Sequence, residues 1–258
     1  QRHGPVFPDL GSRLREVDRV AGKIADAARS LEMEVIALSE YGITSVRGSI
    51  SVNRILRKEG FLATQKAMDW ELLDAGASRA FAVCDHQVAH VYVDRPENVG
   101  AVKRCLEAVD GIDLVLDGDG KKAFGLDHPR SGELVLVARK DRWFDYYYWL
   151  DDLLAPDFAR TVDIHRKPGY DPVELFLDPA RKWIKARILG KLARKALGFR
   201  YLMDVVPLDT SLVKGSHGRL PDHPREGPVF LFSSRRQATS RIQSTEVKDF
   251  ILREIFGP

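Results

Sequence analysis

Apolar residues recur at spacings of three and four from Leu14 to Leu31, through Val17, Val20, Ala21, Ile24 and Ala28. Arg13, Glu16, Asp18, Arg19 and Lys23 fall between them. That period predicts an amphipathic helix, capped by Ser12 and ending near Glu32, that covers a sheet. Residues 35–38 are short and wholly apolar, which predicts a buried strand. A short helix is expected over 52–60, closed by Gly60, and an edge strand over 61–67. Residues 80–93 alternate with period two, so one long strand is expected. Phe81, Val83, Asp85, Gln87, Ala89 and Val91 would face one way, and Cys84, His86, Val88, His90 and Tyr92 the other. On such a strand His86 and His90 stand about 13 Å apart, at roughly 3.3 Å per residue. They could not share one ion directly, and the plain reading is polar residues on a half-exposed strand.

A helix over 98–109 and strands over 113–116 and 133–139 follow. Asp117-Gly-Asp-Gly120 between them reads as a hairpin turn, since no glutamate closes a calcium loop at the right offset. Strand, helix, strand and hairpin together predict a small α+β lobe from about residue 60 to 139. The run Trp143-Phe-Asp-Tyr-Tyr-Tyr-Trp149 suits either base or sugar stacking or a core patch. Residues 163–174 are polar and turn-rich, as an anion-binding segment or an ordinary surface loop would be. Residues 181–197 form a basic helix, read as the solvated face of a packed helix rather than a membrane-surface or partner helix. Residues 201–208 lead through Asp204 and Asp209 towards a glycine-rich loop. A strand over 229–232 and a capped helix over 244–256 close the chain. Residues 1–10 are rich in proline and glycine and read as loop.

The 258 residues allow one large α/β domain or two small ones. Forty basic and 37 acidic residues leave a net charge of +3, too even to indicate a nucleic-acid partner. Cys84 and Cys105 form no C-x-x-C pair and read as buried thiols rather than a disulfide or zinc knuckle. No apolar run is long enough to span a bilayer, so no transmembrane segment is expected. No signal peptide and no initiating methionine precede Gln1-Arg2-His3. The expectation is a cytoplasmic chain that is a processed product or a fragment.

Candidate chemistry centres on Lys214-Gly-Ser-His217-Gly-Arg219. Flanking glycines let the backbone turn tightly, so an imidazole is held at a strand edge with little bulk around it. A metal ligand or acid/base group is commonly presented this way, although a polar turn that contains a histidine explains the pattern equally well. Ser39-Glu40-Tyr41-Gly42 sits just past the predicted strand at 35–38. Open α/β sheets place their chemistry at that position, so Glu40 is a ligand candidate beside the simpler role of capping a turn.

His3-Gly4-Pro5, Ser39-Glu40-Tyr41-Gly42, Gly215-Ser-His217-Gly218 and Gly227-Pro-Val-Phe ahead of Thr-Glu-Val follow one another in a fixed order. This order resembles the alkaline phosphatase superfamily, and within it the type I phosphodiesterase/nucleotide pyrophosphatase family. The resemblance implies an alkaline-phosphatase-like three-layer α/β/α sandwich, present in part. Residues 1–60 and 200–258 would belong to the metal-binding core, and 61–199 to an inserted smaller α+β lobe. It implies a metal-dependent hydrolase of phosphodiester or pyrophosphate bonds, acting on a phosphate-ester small molecule. The cofactor implied is a divalent metal, Zn2+, as one or two ions. His3 and His217 correspond to ligands of one ion, with a paired aspartate expected just before Gln1. Glu40 and Tyr41 stand where the family has an Asp-His pair for the second ion. Tyrosine is a poor ligand because its hydroxyl stays protonated near neutral pH. Arg219, Arg2 and Arg225 near these loops are candidates to bind phosphate oxygens, Arg219 foremost, although an ordinary surface arginine is the plainer reading of each. The family nucleophile is not found in this sequence and is expected in a missing N-terminal half. A non-catalytic relative of the same fold is the alternative, with a phosphomutase-like relative third.

Overall fold

A computed structural model describes residues 1–6, 8–233 and 241–257 of the chain. Phe7, part of the expected N-terminal loop, lies outside the described residues. The elements run α1 (Leu10–Ser30), β1 (Ile36–Leu38), β2 (Thr44–Ser45), β3 (Gly48–Ser51), α2 (Val52–Lys58), β4 (Ala63–Ala67) and β5 (Trp70–Asp74). Then come β6 (Ala80–Asp85), β7 (Val88–Val93), α3 (Pro96–Glu107), β8 (Ile112–Leu116), α4 (Gly118–Ala123), β9 (Leu134–Ala138) and β10 (Arg142–Asp145). The chain closes with α5 (Ile184–Ala196), β11 (Gly215–Ser216), β12 (Phe230–Phe232) and α6 (Val247–Phe256). Two units result: Gln1–Pro5 with Thr44–Arg219, and Val6–Ile43 with Leu220–Pro258.

The larger unit is built on an antiparallel four-stranded sheet in the order β6-β7-β9-β8. The single strand expected over 80–93 is instead a hairpin. Asp85 pairs with Val88, and His86 and Gln87 make the two-residue turn. His86 takes φ +55°, the left-handed conformation such turns require. The consequence is a change of place for every polar residue in the run. His86 is buried at the hairpin tip, and His90 lies back along β7, where its Nδ1 accepts from the Gly132 N–H at 3.2 Å.

The aromatic segment resolves to core. Trp143, Phe144, Tyr146, Tyr147, Tyr148 and Trp149 are all buried, with Tyr147 stacked on Trp149 at 4.6 Å. β10 carries the first of them and pairs in parallel with β3. Asn53 then ties α2 to the main sheet. Its amide donates to Ala82 O at 2.8 Å and accepts from the Ala82 N–H at 2.7 Å. Both cysteines are free thiols, Cys84 buried and Cys105 half-buried.

Asp117 does not open a hairpin turn. It caps α4, its side chain accepting from the Gly120 N–H, and Lys103 pairs with its carboxylate at 2.5 Å. Helix-capping and turn chemistry use the same residues, so composition alone did not separate them.

Residues 163–174 are anchored from inside, although residues 164–166 are exposed. The side chains of Lys167 and Asp171 are wholly buried and 2.9 Å apart, and Glu174 lies 2.6 Å from the same ammonium. This anchor presses the Pro168–Tyr170 backbone against β6. The Cys84 N–H donates to Pro168 O at 3.1 Å, and the Tyr170 N–H donates to Cys84 O at 2.9 Å. Gly169 has φ +124°, and a Cβ there would stand 1.9 Å from Cys84 O. Gly169→Ala is therefore expected to cost about 3 kcal/mol or more, from backbone strain plus clash, read as a lowered urea midpoint.

In the smaller unit β1 pairs with β12, and Phe250 of α6 packs edge-on against Phe230 and Phe232 at 5.2 Å each. Residues 35–38 do form a strand, but not a buried one: Leu38 is exposed. Helix α1 forms where its period predicts and starts at Asp9 rather than Ser12, whose hydroxyl donates to Asp9 O at 3.1 Å. None of its residues is buried, so its apolar stripe covers no sheet here. The expected cap falls on the 3-10 turn Ser244–Glu246 before the final helix, as a reciprocal capping box between Gln243 and Glu246; α6 itself has no side-chain cap.

Candidate functional site

The Gly-Ser-His-Gly loop is held in place from three directions. Gly215 and Ser216 form β11 against β2. The N–H groups of Lys214 and Gly215 both donate to Gln1 O, at 2.8 and 2.9 Å. The Gln87 N–H at the hairpin tip donates to His217 O at 2.9 Å. Gly218 then takes φ +112°, the turn for which the flanking glycine is needed.

The first hydrogen-bond pair brings the two ends of the larger unit together. The strand of chain carrying His3 runs beside the segment that leads into His217. At Gly4 the approach is so close that a Cβ would stand 2.9 Å from Lys214 O, with φ at +70°. Glu40 and Tyr41 belong to the smaller unit, directly after β1. Ser39 there is fixed by the Ser39 N–H donating to Val229 O at 2.9 Å and the Val229 N–H donating to Ser39 Oγ at 2.8 Å. Gly42 passes so near Glu226 that a Cβ would meet its carbonyl at 1.8 Å. Arg219 lies against β8, where its guanidinium pairs with Asp113, and its Nη1 donates to Ala138 O at 3.5 Å. Arg2 donates to Leu175 O at 3.2 Å and covers the Phe176 ring at 5.1 Å.

His86 is the residue that reasoning on the sequence missed. Its ring lies 3.8 Å from that of His217, tilted by 38°, and 5.1 Å from Tyr170. Its Nδ1 is 3.2 Å from Ser216 Oγ, and its Nε2 is 3.4 Å from the Gln1 side-chain nitrogen. Both ring nitrogens are engaged, and Ser216 is itself fully buried. Burial first, and the neighbouring His217 second, push the His86 pKa down to about 3. His86 is therefore neutral in the fold and must gain a proton on unfolding below its ordinary value. Stability is complete above about pH 6.5 and is lost as pH falls from there towards 3, by up to about 1.4 kcal/mol per pH unit. His86→Asn keeps a residue that tolerates the left-handed turn and removes the titration. Urea midpoints between pH 7 and pH 5 should fall less for this variant than for the parent chain.

Zinc sites use three or more protein donors. Among the described residues no group of three or more His, Cys, Asp or Glu side chains is placed to hold a metal ion. The imidazoles suit zinc in kind, but the donors present do not make up a complete metal centre, and no chemical step is assigned to one.

The family model for type I phosphodiesterase / nucleotide pyrophosphatase matches residues 1–171. The chain belongs to that family. The match takes in His3, Glu40, Tyr41 and the His86 hairpin and ends before the His217 loop. Among solved structures, murine ectonucleotide pyrophosphatase/phosphodiesterase 5 is similar at 17% identity and TM-score 0.38, over 54% of this chain and 34% of that one. The human counterpart matches at 16% and 0.41, over 59% and 38%. Phosphonoacetate hydrolase from Sinorhizobium meliloti 1021, in complex with phosphonoformate, matches at 14% and 0.48, over 93% and 45%. The chain thus spans between a third and a half of the length of these proteins. No curated protein matches it.

Proposed function

We propose that this chain is part of a hydrolase of phosphodiester or pyrophosphate bonds that acts on a phosphate-ester small molecule. The observation that supports it is the joining of the His3 and His217 segments through Gln1 O, in a chain whose family is known. His3 and His217 are proposed as donors to one divalent cation, of which Zn2+ is the best match for imidazole. They would need at least one further donor to complete a zinc site. Glu40 and Tyr41 are the proposed donors for a second ion. A divalent cation held by the two imidazoles would supply positive charge to a phosphate ester. The chain's own part is to orient the imidazoles. His86 supports the face of His217, and Gln87 fixes its carbonyl. Arg219 is proposed to meet the phosphate oxygens.

The test is bis-p-nitrophenyl phosphate hydrolysis by the intact protein, with metal analysis of the same preparation. Activity above background together with bound zinc or manganese is the expected result. Neither activity nor metal would leave the second reading, a non-catalytic relative. What favours that reading is Tyr41 in place of a histidine. Tyr41→His with Glu40→Asp separates the two: a changed metal preference indicates an enzyme, and no gain a binding protein.

A further inference from the structure

Residues 181–200 hold eight cationic side chains and no acidic one. Helix α5 occupies most of this stretch, about 20 Å long at 1.5 Å per residue. It is not the packed helix that its sequence predicts, for none of its residues is buried. Arg181, Arg187 and Lys191 turn inward to Asp204, at 3.0, 3.7 and 2.5 Å, and hold the helix to the larger unit. Lys182, Lys185, Arg194, Lys195 and Arg200 make no ion pair among the described residues.

The apolar side is as open as the charged one. Leu189, Leu192 and Ala196, spaced by three and four, form an exposed strip along α5. Trp183 precedes the helix and is 83% exposed, and Leu197 and Phe199 extend the strip beyond its end. A helix with tryptophan, leucine and phenylalanine beside unpaired lysine and arginine matches the headgroup boundary of a bilayer, where rings and aliphatic chains sink and cations stay wet. Helix α1 has an equally open stripe, but its charges are of both signs, and nothing there selects an occupant.

We infer that α5, with Trp183 and Phe199 at its ends, is a docking surface for an anionic lipid membrane. Charge complementarity selects the occupant: five uncompensated cations call for a negative surface, and the leucine strip calls for one with an apolar interior. A nucleic acid would satisfy only the first demand. Association is electrostatic at long range, so it weakens as salt is added.

The test is sedimentation of the intact chain with vesicles of phosphatidylcholine alone and of phosphatidylcholine mixed with phosphatidylglycerol. Trp183 emission is followed in parallel as the signal lost in Trp183→Phe, since Trp143 and Trp149 are buried but Trp70 is only half-buried. Phosphatidylglycerol vesicles should pellet the chain and shift Trp183 emission to the blue, and neutral vesicles should do neither. Leu189→Glu with Leu192→Glu should lower partitioning by roughly tenfold or more. Arg194→Glu should lower it by at least roughly fivefold. All three sites are exposed, and near-UV circular dichroism confirms the fold of each variant. Three results would overturn the inference: no binding to phosphatidylglycerol vesicles, equal binding to neutral ones, or binding that the leucine substitutions leave unchanged. Tighter binding to RNA or to an acidic peptide than to the anionic vesicles would overturn it as well.

Discussion

Lys167→Met is expected to destabilise the larger unit by about 3–5 kcal/mol, because it strands two buried carboxylates that now share one ammonium. Lys167 Nζ reaches Asp171, Glu174 and, at 3.0 Å, Thr161 O, with no water-exposed route for the charge to escape. Burial already raises the pKa of Asp171, and the ammonium opposes that rise. Without Lys167 the Asp171 carboxyl takes up a proton more readily, so the loss should be greatest near neutral pH and smaller in acid. Adding Asp171→Asn and Glu174→Gln removes the uncompensated charge and should recover part of the stability. Urea midpoints of the single and triple variants decide the matter. A single variant within about 1 kcal/mol of the parent would mean that the three charges are not the anchor of this segment. The anchor bears on the site, since it holds Gly169 against Cys84 and Tyr170 beside His86.

His217→Ala is expected to lower phosphodiesterase activity of the intact protein by about 100-fold or more, with metal content falling in step. The fold should survive, because β11 ends at Ser216 and the hydrogen bond from the Gln87 N–H to His217 O uses only the backbone of His217. His3→Ala should have a similar effect. If both imidazoles serve one ion, the double variant loses little more than either single one. Additive losses would assign the two histidines to separate tasks.

Much of the chain was legible in its residues. The helices expected over 52–60, 98–109 and 244–256 lie close to those found at 52–58, 96–107 and 247–256, and the glycines around His217 mark the loop that the structure joins to residue 1. The hairpin at 86–87 was hidden because no glycine or asparagine marks it. A histidine takes the left-handed position, and the buried positions change from even (Ala80, Ala82, Cys84) to odd (Ala89, Val91, Val93) across the turn, a shift the residue types do not announce. With the turn went His86, which reads as surface decoration on a straight strand and is in fact the buried support of His217. Lys167 was hidden for a different reason. A lysine with acids four and seven residues on looks like any solvated turn, and only the fold shows that all three are inside. Periodicity likewise gave α1 and α5 as helices, but it could not report that neither buries a residue.

X-ray absorption at the zinc edge of the loaded intact protein tests the shared cation most directly. Two imidazole nitrogens at about 2.0–2.1 Å are expected, with one lost in His3→Ala and the other in His217→Ala. A zinc environment without imidazole, or one that neither substitution alters, would contradict it.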